Sequence, residues 1–165
     1  MKLIKIFVSL ALVALAVASC RPVRDVNPVQ SVSRQEAVAV SYAPEGKITI
    51  RSWGVGPTRA AAIESAKINA VYDVLFKGIK TGAGAAEAMV REPMMKEVNA
   101  YERYAGYFQP FLSAGGEYGR YVWEADKQSK LLKGSGTSSD SYGVLVVVDI
   151  NALRNQLVTD GVIAE

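Results

Sequence analysis

The sequence contains no histidine and one cysteine, Cys20. Histidine is the usual general base near neutral pH and the commonest metal ligand. Its absence excludes a Ser-His-Asp triad and a histidine-ligated metal within one chain. A lone cysteine can form no intrachain disulfide and no cysteine-cluster zinc site. The Ser-x-x-Lys spacing of serine–lysine hydrolases is also missing. There is no marked excess of charge either: 19 Lys+Arg stand against 16 Asp+Glu, and 17 against 16 once Lys2 and Lys5 are set aside. Nothing in that balance suits a nucleic-acid backbone. Composition therefore points to a non-enzymatic protein with no cofactor and no metal. Carboxylate pairs such as Glu97 with Glu102, or Glu117 with Glu124, could in principle serve hydrolysis. Nothing in their spacing sets them apart from a solvated charged surface.

What is present begins with MKLIKIFVSLALVALAVASC. Lys2 and Lys5 precede an apolar run, Ile6 to Ala18, broken only by Ser9. The run is shorter than the roughly 20 residues that span a bilayer and has the length of a signal-peptide core. It ends in Val17-Ala18-Ser19-Cys20, which resembles the lipobox cut by lipoprotein signal peptidase. The resemblance implies removal of residues 1–19 and acylation of the Cys20 thiol, which accounts for the unpaired cysteine. Two or more acyl chains give stable anchoring, at about 0.8 kcal/mol per buried methylene. Arg21 stands where Asp retains some lipoproteins in the inner membrane, so the expectation is an outer-membrane lipid anchor. Residues 20–35 carry two prolines and no sustained period, as a flexible tether would. Residues 36–165 then form one domain.

The pattern along that domain alternates strands and helices. Residues 36–43 and 47–53 alternate in polarity about a Pro44-Glu45-Gly46-Lys47 turn. In the second stretch Ile48, Ile50 and Ser52 share one side, and Thr49, Arg51 and Trp53 the other. Thr58 is placed to cap a helix from Arg59 to about Lys77, whose Ala66, Ala70 and neighbours permit close approach to a sheet. Gly78 closes it. A second helix is expected from Met94 to about Tyr107, with Val98, Tyr101, Ala105 and Phe108 inward. Glu117–Leu132 reads as extended. Residues 142–150, YGVLVVVDI, form the strongest strand, with its unbroken apolar run pointing to a central place in a sheet or burial on both faces. Asn151 would cap a final helix, 152–159, closed by Gly161. The order β-β-α-α-β-β-α predicts an α+β two-layer sandwich, a short, largely antiparallel sheet with two or three helices packed on one face.

Three local features bear on function. Gly54-x-Gly56 precedes a helix, but the third glycine of a dinucleotide fingerprint is replaced by Arg59 and no Gly-Lys-Ser/Thr follows. A strand-to-helix turn with no room for side chains explains it better. Gly82–Ala86 and the 133–141 segment read as loops. Tyr101, Tyr104, Tyr107, Tyr118, Tyr121 and Trp123 form an aromatic-rich set. Such a stripe at helical spacing is more often core, but exposed rings could bind glycan, peptide or lipid.

The string Ile50–Gly56, the alanine-rich helix Arg59–Ala70 and the closing Val144–Ile163 segment together resemble small envelope lipoproteins that share the N-terminal domain of flagellar assembly protein T. The resemblance spans most of residues 36–163. It implies an α+β module with a structural or accessory role in a cell-envelope assembly, other envelope proteins as partners, and no catalytic residues. A periplasmic or surface binding module for glycan, peptide or lipid is the alternative.

Overall fold

A computed structural model of the protein describes residues 37–43, 45–81, 91–125, 132–133 and 141–164. The architecture is α+β, as the pattern predicts. Six strands form one sheet: β1 (Val38–Ala43), β2 (Lys47–Val55), β3 (Lys80–Thr81), β4 (Val122–Glu124), β5 (Leu132–Lys133) and β6 (Ser141–Asp149). The order is β3-β1-β2-β6, with β4 and β5 following one another along the outer edge of β6. All pairings are antiparallel except β1 with β3.

Alternation fixes the register of the two long strands. Ile48, Ile50 and Ser52 pair with Val148, Val146 and Val144, and all six are at most 1% exposed. A slip by one residue would expose the whole set. β6 takes the central place its composition suggests. Only one of its faces is sealed, however, because Leu145 and Val147 are half-buried on the other.

Helix α1 (Arg59–Tyr72) starts at the expected cap, where the Thr58 hydroxyl accepts from the Ala61 amide at 3.2 Å. Ala62, Ala66 and Ala70 are completely buried, which lets the helix backbone sit against the sheet. A Cβ on Gly54 would lie 2.0 Å from the Ala62 carbonyl oxygen, and one on Gly56 2.7 Å from the Ala62 nitrogen. The Gly-x-Gly pair is thus a packing requirement. Strand β1 pairs with β2 only as far as Arg51. Beyond that point α1 serves the β2 main chain: Asn69 Nδ2 donates to the Trp53 carbonyl at 2.7 Å, and Ser65 Oγ accepts from the Val55 amide at 3.3 Å. These bonds account for two polar side chains buried among apolar ones. The helix ends in a π turn, Asp73–Lys77, closed by Gly78 at φ 78°.

Three expectations need correction. Met94 to about Tyr107 is not one helix. The Met94 and Met95 amides donate to the Val74 and Leu75 carbonyls at 3.1 and 2.8 Å, so this backbone is bound to the end of α1. Helical structure is confined to α2 (Ala100–Arg103) and α3 (Ala105–Phe111), and Val98, expected inside, is 86% exposed. Glu117–Arg120 is a 3₁₀ turn where an extended stretch was expected. There Tyr118 is drawn fully into the core and its hydroxyl donates to Glu64 on α1. Finally, helix α4 (Ile150–Thr159) is capped by Asp149, whose Oδ1 accepts from the Ala152 amide at 2.9 Å. Asn151 instead donates to the Glu45 carbonyl at 3.3 Å, holding the β1–β2 turn.

The helices and the 3₁₀ turn share one apolar cluster with Ile48, Ile50, Val144, Val146 and Val148. No residue from the opposite side of β2 and β6 belongs to it. Among the described residues no helix is long and apolar enough to cross a membrane.

Candidate functional site

The side of the sheet away from that cluster bears no described helix. Directly paired residues share a face, so the registers give its rows. Trp53 lies opposite Gly143. Val38, Arg51 and Leu145 form the next row. Ser41, Thr49, Val147 and Trp123 form the third. Both tryptophans of the chain therefore stand on this face. They occupy opposite corners of a patch with Arg51 and Leu145 between them.

Gly143 shapes one corner. A Cβ there would meet the Trp53 ring at 3.2–3.3 Å, so the indole lies flat over the glycine. At the other corner Trp123 is 42% exposed. A sheet face with half-buried Leu145 and Val147 and an exposed tryptophan is an unusual way to meet water. Arg51 Nε is buried and makes no hydrogen bond among the described residues.

The aromatic residues read as candidate ligand contacts do not form one surface. Tyr118 and Tyr121 are buried in the core. Tyr101, Tyr104 and Tyr107 are half-buried and pack against it. Tyr101 meets Tyr72 and Phe76 edge-on at 5.7 and 5.6 Å, and Phe76 meets Phe108 at 4.9 Å, so the stripe joins the end of α1 to α2 and α3. Only Trp123 is exposed, on the other side of the sheet.

Tyr107 also borders a recess of about 400 Å³, with Phe111, Glu117, Gln156 and Asp160. Its hydroxyl donates to Asp160 Oδ2 at 2.5 Å. Gln156 Nε2 donates to both Asp160 oxygens at 2.9 Å and its Oε1 accepts from the Tyr121 hydroxyl at 3.1 Å. Burial, then the bond to Asp160, hold the Tyr107 phenol well above its ordinary pKa. The same bond, with that from Gln156, lowers the Asp160 carboxyl. Tyr107 and Phe111 stack at 5.5 Å, as do Phe111 and Tyr121 at 6.1 Å.

The carboxylate pairs are surface groups. Glu97 is bound by Arg103 at 3.0 Å and Glu117 by Arg120 at 2.9 Å. Among the described residues no group of three acidic or cysteine side chains could hold a metal. Cys20, the 1–19 segment and the 20–35 tether lie outside the described residues, as do the Gly82–Ala86 loop and most of the 133–141 loop.

No family model, curated protein or solved structure matches the chain. The site is thus read from its geometry alone. Sequence parity had placed Trp53 with Arg51 and Thr49. That Trp123 joins them depends on the pairing of β4 with β6, which no local pattern encodes.

Proposed function

We propose that this protein is a lipid-anchored, non-enzymatic component of a cell-envelope assembly, held by acyl chains on Cys20 and docking other envelope proteins on its helix-free sheet face. The observation carrying the docking reading is the placement of both tryptophans, with Leu145 and Val147, on that face. Tryptophan and arginine dominate the energetics of protein interfaces, and Arg51 lies at the centre of the patch. The lipobox-like Val17–Cys20 supports the anchor, and Arg21 supports an outer-membrane address. The likeness to envelope lipoproteins sharing the flagellar assembly protein T domain supports an accessory role.

The test is crosslinking in living cells, followed by solubilisation of the membrane fraction and identification of what co-purifies. A defined set of envelope proteins should appear with the natural chain. It should disappear with Cys20→Ala, and with Trp123→Ser while that variant remains anchored. Recovery of the protein alone would sink the assembly reading.

The alternative is a module binding a glycan. The recess beside Tyr107 favours it, since an aromatic ring flanked by Asp160, Glu117 and Gln156 offers a face and acceptors to a sugar. Glycan-array binding lost in Tyr107→Ala would select this reading.

A further inference from the structure

A second cavity, of about 310 Å³, lies between the segment after α1 and the first turn of α4. Its apolar wall includes Val74, Ile79 and Ile150, each at most 5% exposed. Its charged lining is Arg91, Lys96 and Arg154 against a single carboxylate, Glu92. Glu92 is already paired with Lys96 at 3.4 Å. Neither arginine has a carboxylate within ion-pair distance among the described residues.

Arg91 is held in place. Its guanidinium carbon lies 5.0 Å from the centre of the Tyr42 ring, and Nη2 donates to the Tyr42 hydroxyl. Tyr42 offers a hydroxyl and not a carboxylate, so the bond orients the cation without forming an ion pair. Among the described residues the other side-chain N–H groups of Arg91 make no hydrogen bond, and an arginine carries five donors. Arg91 and Arg154 stand 63 positions apart in sequence, yet the fold sets both on one small cavity. The cavity thus carries more cationic than anionic groups beside its apolar wall, a local field that suits an anion.

We propose that this cavity binds a phosphoryl group carried on a short apolar body. Two guanidiniums supply more donors than a carboxylate can accept, and the planar fork of arginine matches phosphate oxygens. The Val74, Ile79 and Ile150 wall takes the apolar part. A phospholipid headgroup with the start of its chains and a soluble phosphate ester share this chemistry. The site stands independently of the anchor and of the docking face.

The test is calorimetric titration of the purified full-length chain in nonionic detergent with dihexanoyl phosphatidic acid. Inorganic phosphate and dihexanoylglycerol are titrated in parallel. Saturable binding of the phosphatidic acid is expected, weakened on the order of tenfold in Arg154→Gln and in Arg91→Gln. Arg120→Gln, which removes an exposed arginine paired with Glu117 elsewhere, should bind as the natural chain does. Arg154 is exposed and makes no ion pair among the described residues, so its variant tests the site even if Arg91→Gln perturbs Tyr42. Inorganic phosphate binding as tightly as phosphatidic acid would show that the apolar wall contributes nothing and would overturn the apolar-body half of the proposal. Absence of binding, binding unchanged in both arginine variants, or dihexanoylglycerol binding equally well would overturn the proposal.

Discussion

The Tyr107 hydroxyl donates to Asp160 Oδ2 at 2.5 Å, tying α3 to the residue that ends α4 across 53 positions of sequence. Each partner shifts the other. The phenol is held above its ordinary pKa, by burial first and then by this bond. The carboxyl is held below, by this bond first and then by Gln156. The raised phenol contributes stability present below the unfolded value of about 10 and lost as pH rises beyond it. The lowered carboxyl contributes stability present above the unfolded value of about 3.9 and lost as pH falls through its folded value. Tyr107→Phe should therefore lower the melting temperature by a few degrees at neutral pH. It should also flatten the decline in stability at both ends of a pH 2–11 melting series. An unchanged acid limb would show that Asp160 gains nothing from Tyr107.

Gly54 and Gly106 should respond to alanine with opposite signs. At Gly54 a Cβ would sit 2.0 Å from the Ala62 carbonyl oxygen and 2.4 Å from the Ala66 nitrogen, both backbone atoms that cannot turn away. The helix would have to lift off the sheet, at a cost of about 3 kcal/mol or more. At Gly106, in α3, nothing lies within 4 Å of the same atom. Alanine there removes helix-opposing backbone freedom and should stabilise by up to about 1 kcal/mol. Urea unfolding of the two variants measures both. Equal destabilisation would contradict the close approach of α1.

The elements read correctly from sequence are those whose signals are local. Alternation in Ile48, Ile50 and Ser52, the Thr58 cap and the apolar run 144–148 each act within a few residues. The errors fall where a distant group decides. Met94 and Met95 lose their helix because Val74 and Leu75 take their amides. Tyr118 leaves the extended conformation because its ring enters the core and its hydroxyl meets Glu64, 54 residues away. Asp149 displaces Asn151 as cap because Asn151 is drawn to the Glu45 carbonyl. The candidate surfaces have the same origin. Parity puts Trp53 opposite the core-facing side of β2, but only the β4–β6 register adds Trp123. Arg91 and Arg154 have no periodic relation at all.

Ser52 offers a stabilising change. Its hydroxyl is buried, faces Val144 across the sheet and has no hydrogen-bond partner among the described residues. An unsatisfied buried hydroxyl costs about 1–3 kcal/mol. Ser52→Ala removes that cost while leaving only a small void, so a gain of about 1 kcal/mol in unfolding free energy is expected. A loss on urea denaturation would mean that the hydroxyl is satisfied in solution.

The helix-free face predicts how the two tryptophans behave. Trp123 is 42% exposed, whereas Trp53 lies half-buried over Gly143. Trp53→Phe leaves Trp123 as the sole indole, and its emission should be red-shifted and readily quenched by acrylamide. Trp123→Phe leaves Trp53, which should emit further to the blue and quench less. Because Trp123 adds little to the core, Trp123→Ser should change stability by no more than about 0.5 kcal/mol. Val146→Ala, on the sealed side of the same sheet, should cost about 2 kcal/mol. This contrast separates two explanations of an apolar surface. A face open for docking leaves Trp123 quenchable in the isolated protein and shields it when a partner binds. A face already sealed within the chain would leave both indoles resistant to acrylamide, and Trp123→Ser would then be as costly as a core truncation.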